Sequence, residues 1–236
     1  MPPFTPNEFI DWLREAGKTR TFWTKPIAEI SFEKLGNMHL FRIGWLSRGK
    51  IEYTQMIIAP QLEKHHWTGR SESILILPKG SEPPEYDQHS CVYLWELPSR
   101  TLEPNTDVKV EKYETWSSQS VFREIQRRSW GFYVLPRKGD HLVLVAILSG
   151  RPVGLTYLNV KNFNLDYGVH VVRDKWRRRI GTRLLVEAMD LAKEMGSKYL
   201  TMFRWLRRKL DSRDRAAISF YEANNPRWSY MTYRML

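Results

Sequence analysis

The chain has 236 residues, 42% of them hydrophobic, which is enough for one large domain or two small ones. No apolar run approaches the ~20 residues that a membrane span needs, and six scattered histidines with a single cysteine, Cys91, give neither a metal-ligand spacing nor an internal disulfide. The net charge of +11 is uneven: residues 1–105 hold 12 Lys and Arg against 13 Asp and Glu, whereas residues 106–236 hold 25 against 13. A field of that kind draws an anionic partner: a phosphate-rich cofactor, RNA, DNA or an acidic protein. The opening MPPFTPNEFIDWLREAG lacks the basic start and apolar run of a signal peptide, so a reducing, cytoplasmic setting is expected.

The first predicted element is a helix. Thr5 caps it, Pro6 suits its first turn, Glu8 completes a capping box, and Gly17 stops it. Strands follow. HLFRIGWL and IEYTQMII flank SRGK as a hairpin, SILIL and CVYLWEL are further strands, and PKGSEPPEYDQHS between them is a loop. LPSRTLEPNTD reads as a linker. In the second half DVKVEKYE is a strand and SSQSVFREIQRRSWG a short helix. HLVLVAIL and VGLTYLNV are strands around the turn SGRP, and DYGVHVV is another strand. Apolar residues at 184, 185, 188, 189, 191, 192 and 195 then give helical spacing, with Gly196 as the stop. KYLTMF is a strand, SRDRAAISFYEA a helix ended by Asn224, Asn225 and Pro226, and RWSYMTYRML a final strand.

The stretch KWRRRIGTRLL, Lys175 to Leu185, lies between the strand ending at Val172 and the helix starting near Thr182. Such a junction leaves the first N–H groups of the helix unpaired and adds the positive end of its dipole. A glycine lets backbone approach a ligand, and arginines neutralise phosphate charge, so the junction suits a pyrophosphate. The alternative is a solvated basic loop that only opens a helix.

In order, these segments resemble the GNAT superfamily of acyl-CoA-dependent N-acyltransferases. SGRPVGLTYL is similar to its second and third strands, and GVHVVRDKWRRRIGTRLLVEAM to its fourth strand, pyrophosphate loop and following helix. The loop pattern of that family is Q/R-x-x-G-x-G/A, then two residues and an apolar pair. Gly181 fits the last position, because Leu184 and Leu185 follow at the right distance. Arg179 then stands for the first glycine and Trp176 for the basic residue. Alternatively Arg177 is that basic residue and the loop is one residue shorter. DRAAISFYEANN is similar to the later helix N-x-x-A-x-x-[LF]-Y: Ala217, Phe220 and Tyr221 match, and Asp214 replaces the asparagine. The resemblance covers about residues 106–236 and does not extend to residues 1–105.

The resemblance implies an α/β (α+β) fold with a mixed central sheet flanked by helices in residues 106–236, and the predicted elements make residues 1–105 a preceding, mainly antiparallel α+β region. It implies acetyl-CoA as co-substrate between DYGVHVV and KYLTMF. Val171, Val172, Arg177, Arg178, Arg179, Ile180, Gly181, Thr182, Asp214 and Ala217 would hold it. Tyr221 would protonate the departing thiolate; the alternative is a packed aromatic beside Phe220. An amine of lysine type, with a free pKa of ~10.4, must lose a proton before it attacks. Asp166 and His170, four residues apart on one strand face, are the candidate bases; alternatively Asp166 shapes a turn and His170 is a satisfied strand histidine. The cluster from Arg204 to Arg215, with Trp205 for stacking, would meet the cofactor's phosphate, RNA or an acidic protein, or is simply solvated. The expected activity is N-acetyl transfer to a small amine, a protein or an aminoacyl-tRNA. The rival expectations are a non-catalytic RNA-binding protein and an acyl-CoA-sensing interaction protein.

Overall fold

Strand β2 (Met38–Ser47) turns through Arg48 and Gly49, both at positive φ, into β3 (Lys50–Ile58). Two left-handed residues are what a two-residue hairpin turn requires, and the register runs unbroken from His39↔Ile58 to Ser47↔Lys50. SRGK therefore makes the hairpin that its glycine predicts. The computed structural model describes residues 27–35, 38–58, 72–77, 88–113, 119–161, 163–206 and 209–234. The helix expected from Thr5 to Gly17 lies outside the described residues.

The chain divides into two compact units, one of Met1–Val92, Trp205–Asp211 and Trp228–Leu236, the other of Tyr93–Arg204 and Ser212–Arg227. In the first, β1 (Ile27–Leu35), β2, β3, β4 (Glu72–Leu77) and β11 (Trp228–Arg234) stand side by side in that order. The β1–β2, β2–β3 and β4–β11 pairs are antiparallel and β3–β4 is parallel. Strand β1 was not among the predicted strands. Its signal is the polar alternation of Glu29, Ser31 and Glu33, all exposed, as befits an edge strand.

The second unit holds an antiparallel sheet of β6 (Lys109–Tyr113), β7 (His141–Leu148), β8 (Arg151–Asn159) and β9 (Leu165–Val171), in that order. Helix α1 (Gln119–Ser129) covers one face: its buried residues Phe122, Ile125, Gln126 and Ser129 fall at helical spacing. Helix α2 (Ile180–Glu194) covers the other, burying Leu184, Leu185, Ala188, Met189, Leu191 and Ala192. With both faces covered, β8 is buried from Val153 to Asn159. Helix α2 ends as predicted at Gly196, φ 86°. The Gly196 N–H donates to the Lys193 carbonyl and the Ser197 N–H to that of Ala192, a Schellman motif.

Within the same unit, residues 93–96 of β5 (Gln88–Glu96) neighbour β10 (Tyr199–Leu206), and α3 (Ser212–Ala223) buries Asp214, Ala217 and Tyr221. Strands β9 and β10 run parallel and meet at one bridge, Asn164↔Thr201. There the Thr201 N–H donates to the Phe163 carbonyl at 2.9 Å and its hydroxyl to Asn164 Oδ1 at 3.1 Å. Beyond this bridge the strands belong to different sheets, so β9 presents an open edge.

Gly154 of β8 lets the layers close. A Cβ there would lie 2.8 Å from the His170 carbonyl oxygen and 3.2 Å from Leu184 Cδ1. Gly154→Ala is expected to destabilise the protein by about 1–3 kcal/mol, seen as a lower urea midpoint at unchanged m-value. An unmoved midpoint would show that the layers have slack.

Candidate functional site

The open edge of β9 is shaped by a bulge. Its register with β8 passes from Thr156↔Val169 to Tyr157↔Asp166, which leaves Tyr167 and Gly168 looped out. Both have positive φ, 65° and 78°. Gly168 has no choice: a Cβ there would sit 2.6 Å from the Tyr221 hydroxyl. On the β8 side the Val172 N–H donates to the Val153 carbonyl at 2.9 Å. By the alternation of an antiparallel ladder, the polar groups of Val171 and Val169 then face outward, toward the split. Three aromatic side chains meet them. The Val169 N–H donates to the Tyr221 hydroxyl at 2.9 Å. The Trp130 indole donates to the Val169 carbonyl at 3.5 Å and the Trp176 indole to that of Val171 at 2.7 Å.

Tyr221 is buried at the end of α3. Its ring packs on Tyr93, Trp95 and Phe220 at centroid distances of 5.2, 6.1 and 4.9 Å, which fixes the hydroxyl against β9. The same helix places Phe220 against α2: a Cβ on Gly181 would lie 2.9 Å from its ring. Gly181 is therefore a close-packing glycine, whatever else its amide does.

The loop between β9 and α2 has the conformation its sequence disguises. A short 3-10 turn, Arg173–Lys175, leads to Trp176, then Arg177 and Arg179 adopt positive φ, 62° and 54°. Arg179 is the N-cap of α2, so the helix begins at Ile180, two residues before the expected Thr182. Backbone that glycine enters freely is thus found at both Arg177 and Arg179. Asn105 braces the loop, its side-chain amide donating to the Arg178 carbonyl at 2.9 Å. Arg177, Arg178 and Arg179 are exposed, and the first N–H groups of α2 at Ile180, Gly181 and Thr182 have no carbonyl one turn back.

Asp166 and His170 lie across from Tyr157 and Leu155, hence on one face of β9, but each has its own partners. The Asp166 carboxylate accepts from Arg137 at 3.0 Å, His141 Nε2 at 2.7 Å, Asn159 at 3.0 Å and Asn164 at 2.6 Å. Because the Arg137 N–H donates to His141 Nδ1, that ring carries its proton on Nε2. Burial alone would raise the Asp166 carboxyl; the hydrogen bonds from His141, Asn164 and Asn159 outweigh it and hold it low. His170 is fully buried, its Nε2 3.0 Å from the Tyr167 carbonyl and its Nδ1 3.1 Å from the Ser129 hydroxyl. A carbonyl only accepts, so Nε2 carries the proton, and the unprotonated Nδ1 lies against the Ser129 hydroxyl, whose one proton also meets the Gln126 carbonyl at 3.0 Å. Burial pushes the His170 pKa down to about 3, aided by the Arg204 charge and opposed by the Tyr167 carbonyl, so the ring is neutral.

Of the basic cluster, Arg204 turns inward. It donates to Asp214 at 2.7 Å and stacks over the Trp130 ring, 4.8 Å from its centroid. Ala217 is buried one turn further along α3, and Arg213 donates to the Trp130 carbonyl at 2.6 Å. Arg207 and Arg208 lie outside the described residues. The sequence reading missed the Val169 amide, Ser129, Thr156 and Trp130. One signal for them was present: a glycine inside a strand pattern, Gly168, marks a bulge.

A mixed α/β protein with antiparallel sheets, parted between two parallel neighbours beside a helix-opening basic loop, is the class that these features define. Residues 99–225, more than half of the chain, match the Acetyltransferase (GNAT) family, and the chain belongs to that family. Among solved structures it is similar to a GCN5-related N-acetyltransferase from Kribbella flavida (10% identity, TM-score 0.46, 88% of this chain and 90% of that one). It is also similar to one from Sphaerobacter thermophilus (13%, 0.44, 86% and 81%). An aminoglycoside acetyltransferase from an uncultured soil metagenomic sample aligns with 52% of this chain and 91% of its own (17%, 0.40). No curated protein matches the sequence. Among the described residues, no helix is long and apolar enough to cross a membrane.

Two expectations follow from the site. Arg179→Gly should stabilise the protein by roughly 0.5–1 kcal/mol, since a left-handed L-residue costs more than the entropy that glycine adds; a lower melting temperature would show that the Arg179 side chain outweighs its backbone. His170, titrating near 6.5 when unfolded and about 3 when folded, gives the unfolded state the extra proton. Its contribution is complete above pH 6.5 and is lost as pH falls toward 3. Between pH 7.5 and 5.0 the loss is about 2 kcal/mol. Urea unfolding at both values should show this loss in wild type and not in His170→Gln; equal slopes would mean that the ring is not held neutral.

Proposed function

We propose that this protein is an acetyl-CoA-dependent N-acetyltransferase acting on an amine acceptor: a small amine, a protein or an aminoacyl-tRNA. The observation that carries this reading is the Tyr221 hydroxyl seated on the Val169 N–H at the point where β9 parts from β10. The donor's extended, amide-bearing arm would run along the open edge of β9, exchanging with the aromatic groups that now meet the outward amide groups of Val169 and Val171. The Val169 N–H is the donor for the thioester oxygen as it gains charge, and a fixed backbone N–H is well suited to that. The amine attacks the thioester carbon, the C–S bond breaks, and Tyr221 gives its proton to the leaving thiolate.

Arg177, Arg178 and the N–H groups of Ile180, Gly181 and Thr182 receive the pyrophosphate, with Val172, Arg179, Asp214 and Ala217 shaping the walls. The reading keeps residues 106–236 as the part that carries the chemistry, and the family match from residue 99 supports this. Asp166, a carboxylate already accepting four hydrogen bonds, is proposed to fix the base of β9. A water then takes the proton of the amine.

A second reading has its own support. Arg179 stands where the pattern has glycine, and Asp214, in place of asparagine, is tied to Arg204. These departures favour an acyl-CoA-sensing or RNA-binding protein that has kept the fold. Calorimetry with acetyl-CoA, then thiol release against pools of amines, protein and RNA, separates the two; binding without thiol release from any pool would support the second.

Tyr221→Phe keeps the ring and its packing. It should leave acetyl-CoA affinity within about twofold and lower turnover by ~10²–10⁴, measured as thiol release on a preparation whose melting temperature is also recorded. Full turnover in this variant would remove Tyr221 from the reaction.

A further inference from the structure

Two carbonyls are turned out of line by the β9 bulge, and each is held by a different side chain. The Thr156 hydroxyl donates to the Gly168 carbonyl at 3.0 Å, and His170 Nε2–H donates to the Tyr167 carbonyl at 3.0 Å. The second anchor is the more demanding one, because Tyr167 is not a glycine and its φ of 65° is a conformation that L-residues avoid. The imidazole is itself fixed from α1. Ser129, the last residue of that helix, sets its hydroxyl 3.1 Å from Nδ1 and 3.0 Å from the Gln126 carbonyl, and the rings of Trp130 and Phe132 stand edge-on to the imidazole at 6.2 and 5.5 Å. The next amide after the bulge is that of Val169, which points at the Tyr221 hydroxyl.

We propose that His170 is a positioning residue: through the Tyr167 carbonyl it locks the bulge that aims the Val169 N–H at the reacting centre, and it takes no proton from the substrate. The proposal rests on the acetyl-transfer reading for its kinetic consequences but not for its structural ones. With Nε2–H committed to a carbonyl and Nδ1 fully buried against the Ser129 hydroxyl, the ring presents no lone pair to an incoming ammonium. What it does offer is a rigid strut from the end of α1 to the backbone of β9. A small misplacement of a donor at a reacting centre costs rate far more than it costs binding.

The test uses His170→Gln, which keeps a polar group of similar reach, and the double variant His170→Gln with Tyr167→Gly. If the ring holds Tyr167 in its left-handed conformation, glycine at 167 should do without it. Expected for His170→Gln is a kcat lower by on the order of tenfold or more, a KM for acetyl-CoA within about twofold, and an unchanged shape of the kcat–pH profile. The Tyr167→Gly partner should recover most of the lost kcat. Loss of a limb of the pH profile would make His170 a base and overturn the proposal. So would an unchanged kcat, or a loss that Tyr167→Gly does not repair.

A second measurement needs no turnover. Amide hydrogen exchange at Gly168 and Val169 should quicken in His170→Gln and return toward the wild-type rate in the double variant. If wild type acetylates no amine, the acetyl-transfer reading fails while this exchange pattern still decides the role of His170; unaltered exchange would overturn it.

Discussion

The second unit is organised around a strand edge that is left unpaired. Strand β9 is tied to β8 on one side, and among the described residues its backbone is bridged to β10 at Asn164↔Thr201. An unpaired backbone edge inside a protein is costly, because each buried N–H and C=O must find a partner. Here the partners are side chains: the Tyr221 hydroxyl and the Trp130 and Trp176 indoles. Helix α3, the residue after α1 and the loop before α2 each deliver one of these three groups.

The bulge links this edge to the rest of the unit. It needs Gly168 for clearance from Tyr221, Thr156 from β8 and His170 from β9 itself for its carbonyls, and Ser129 from α1 to orient His170. Asp166 and its four donors fix the strand just before it. The polar groups that the sequence offered as proton acceptors are thus engaged, Asp166 by four side-chain donors and His170 by the Tyr167 carbonyl, while the Tyr221 hydroxyl accepts from the Val169 N–H at the split.

Most of the fold was legible because its signals are local. The SRGK turn, the Gly196 stop and the apolar spacing of α2 each follow from short-range backbone and packing rules, and the structure carries all three. The site was legible only in outline. Tyr221 is marked by the spacing Ala217–Phe220–Tyr221, and the loop by its position between strand and helix. The geometry of the loop was hidden, because Arg177 and Arg179 adopt left-handed backbone without a glycine to announce it. The partners of Asp166, His170 and Arg204 were hidden for another reason. Whether a titratable group is free or engaged depends on partners 25 to 41 residues away or on another element, as with Asp166 and His141, His170 and Ser129, and Arg204 and Trp130. The pattern in one strand does not contain that information.

The aromatic caps on β9 have a consequence for the behaviour of the protein in concentrated solution. A strand edge bearing uncommitted N–H and C=O groups is a template on which a second copy of the chain can add a strand. Tyr221, Trp130 and Trp176 blunt that template by occupying its hydrogen-bonding groups with bulky rings that no incoming strand can pair with. The side chains nearest the candidate site therefore also guard the chain against edge-to-edge association, and a substitution that strips one of them carries a solubility cost separate from any effect on chemistry.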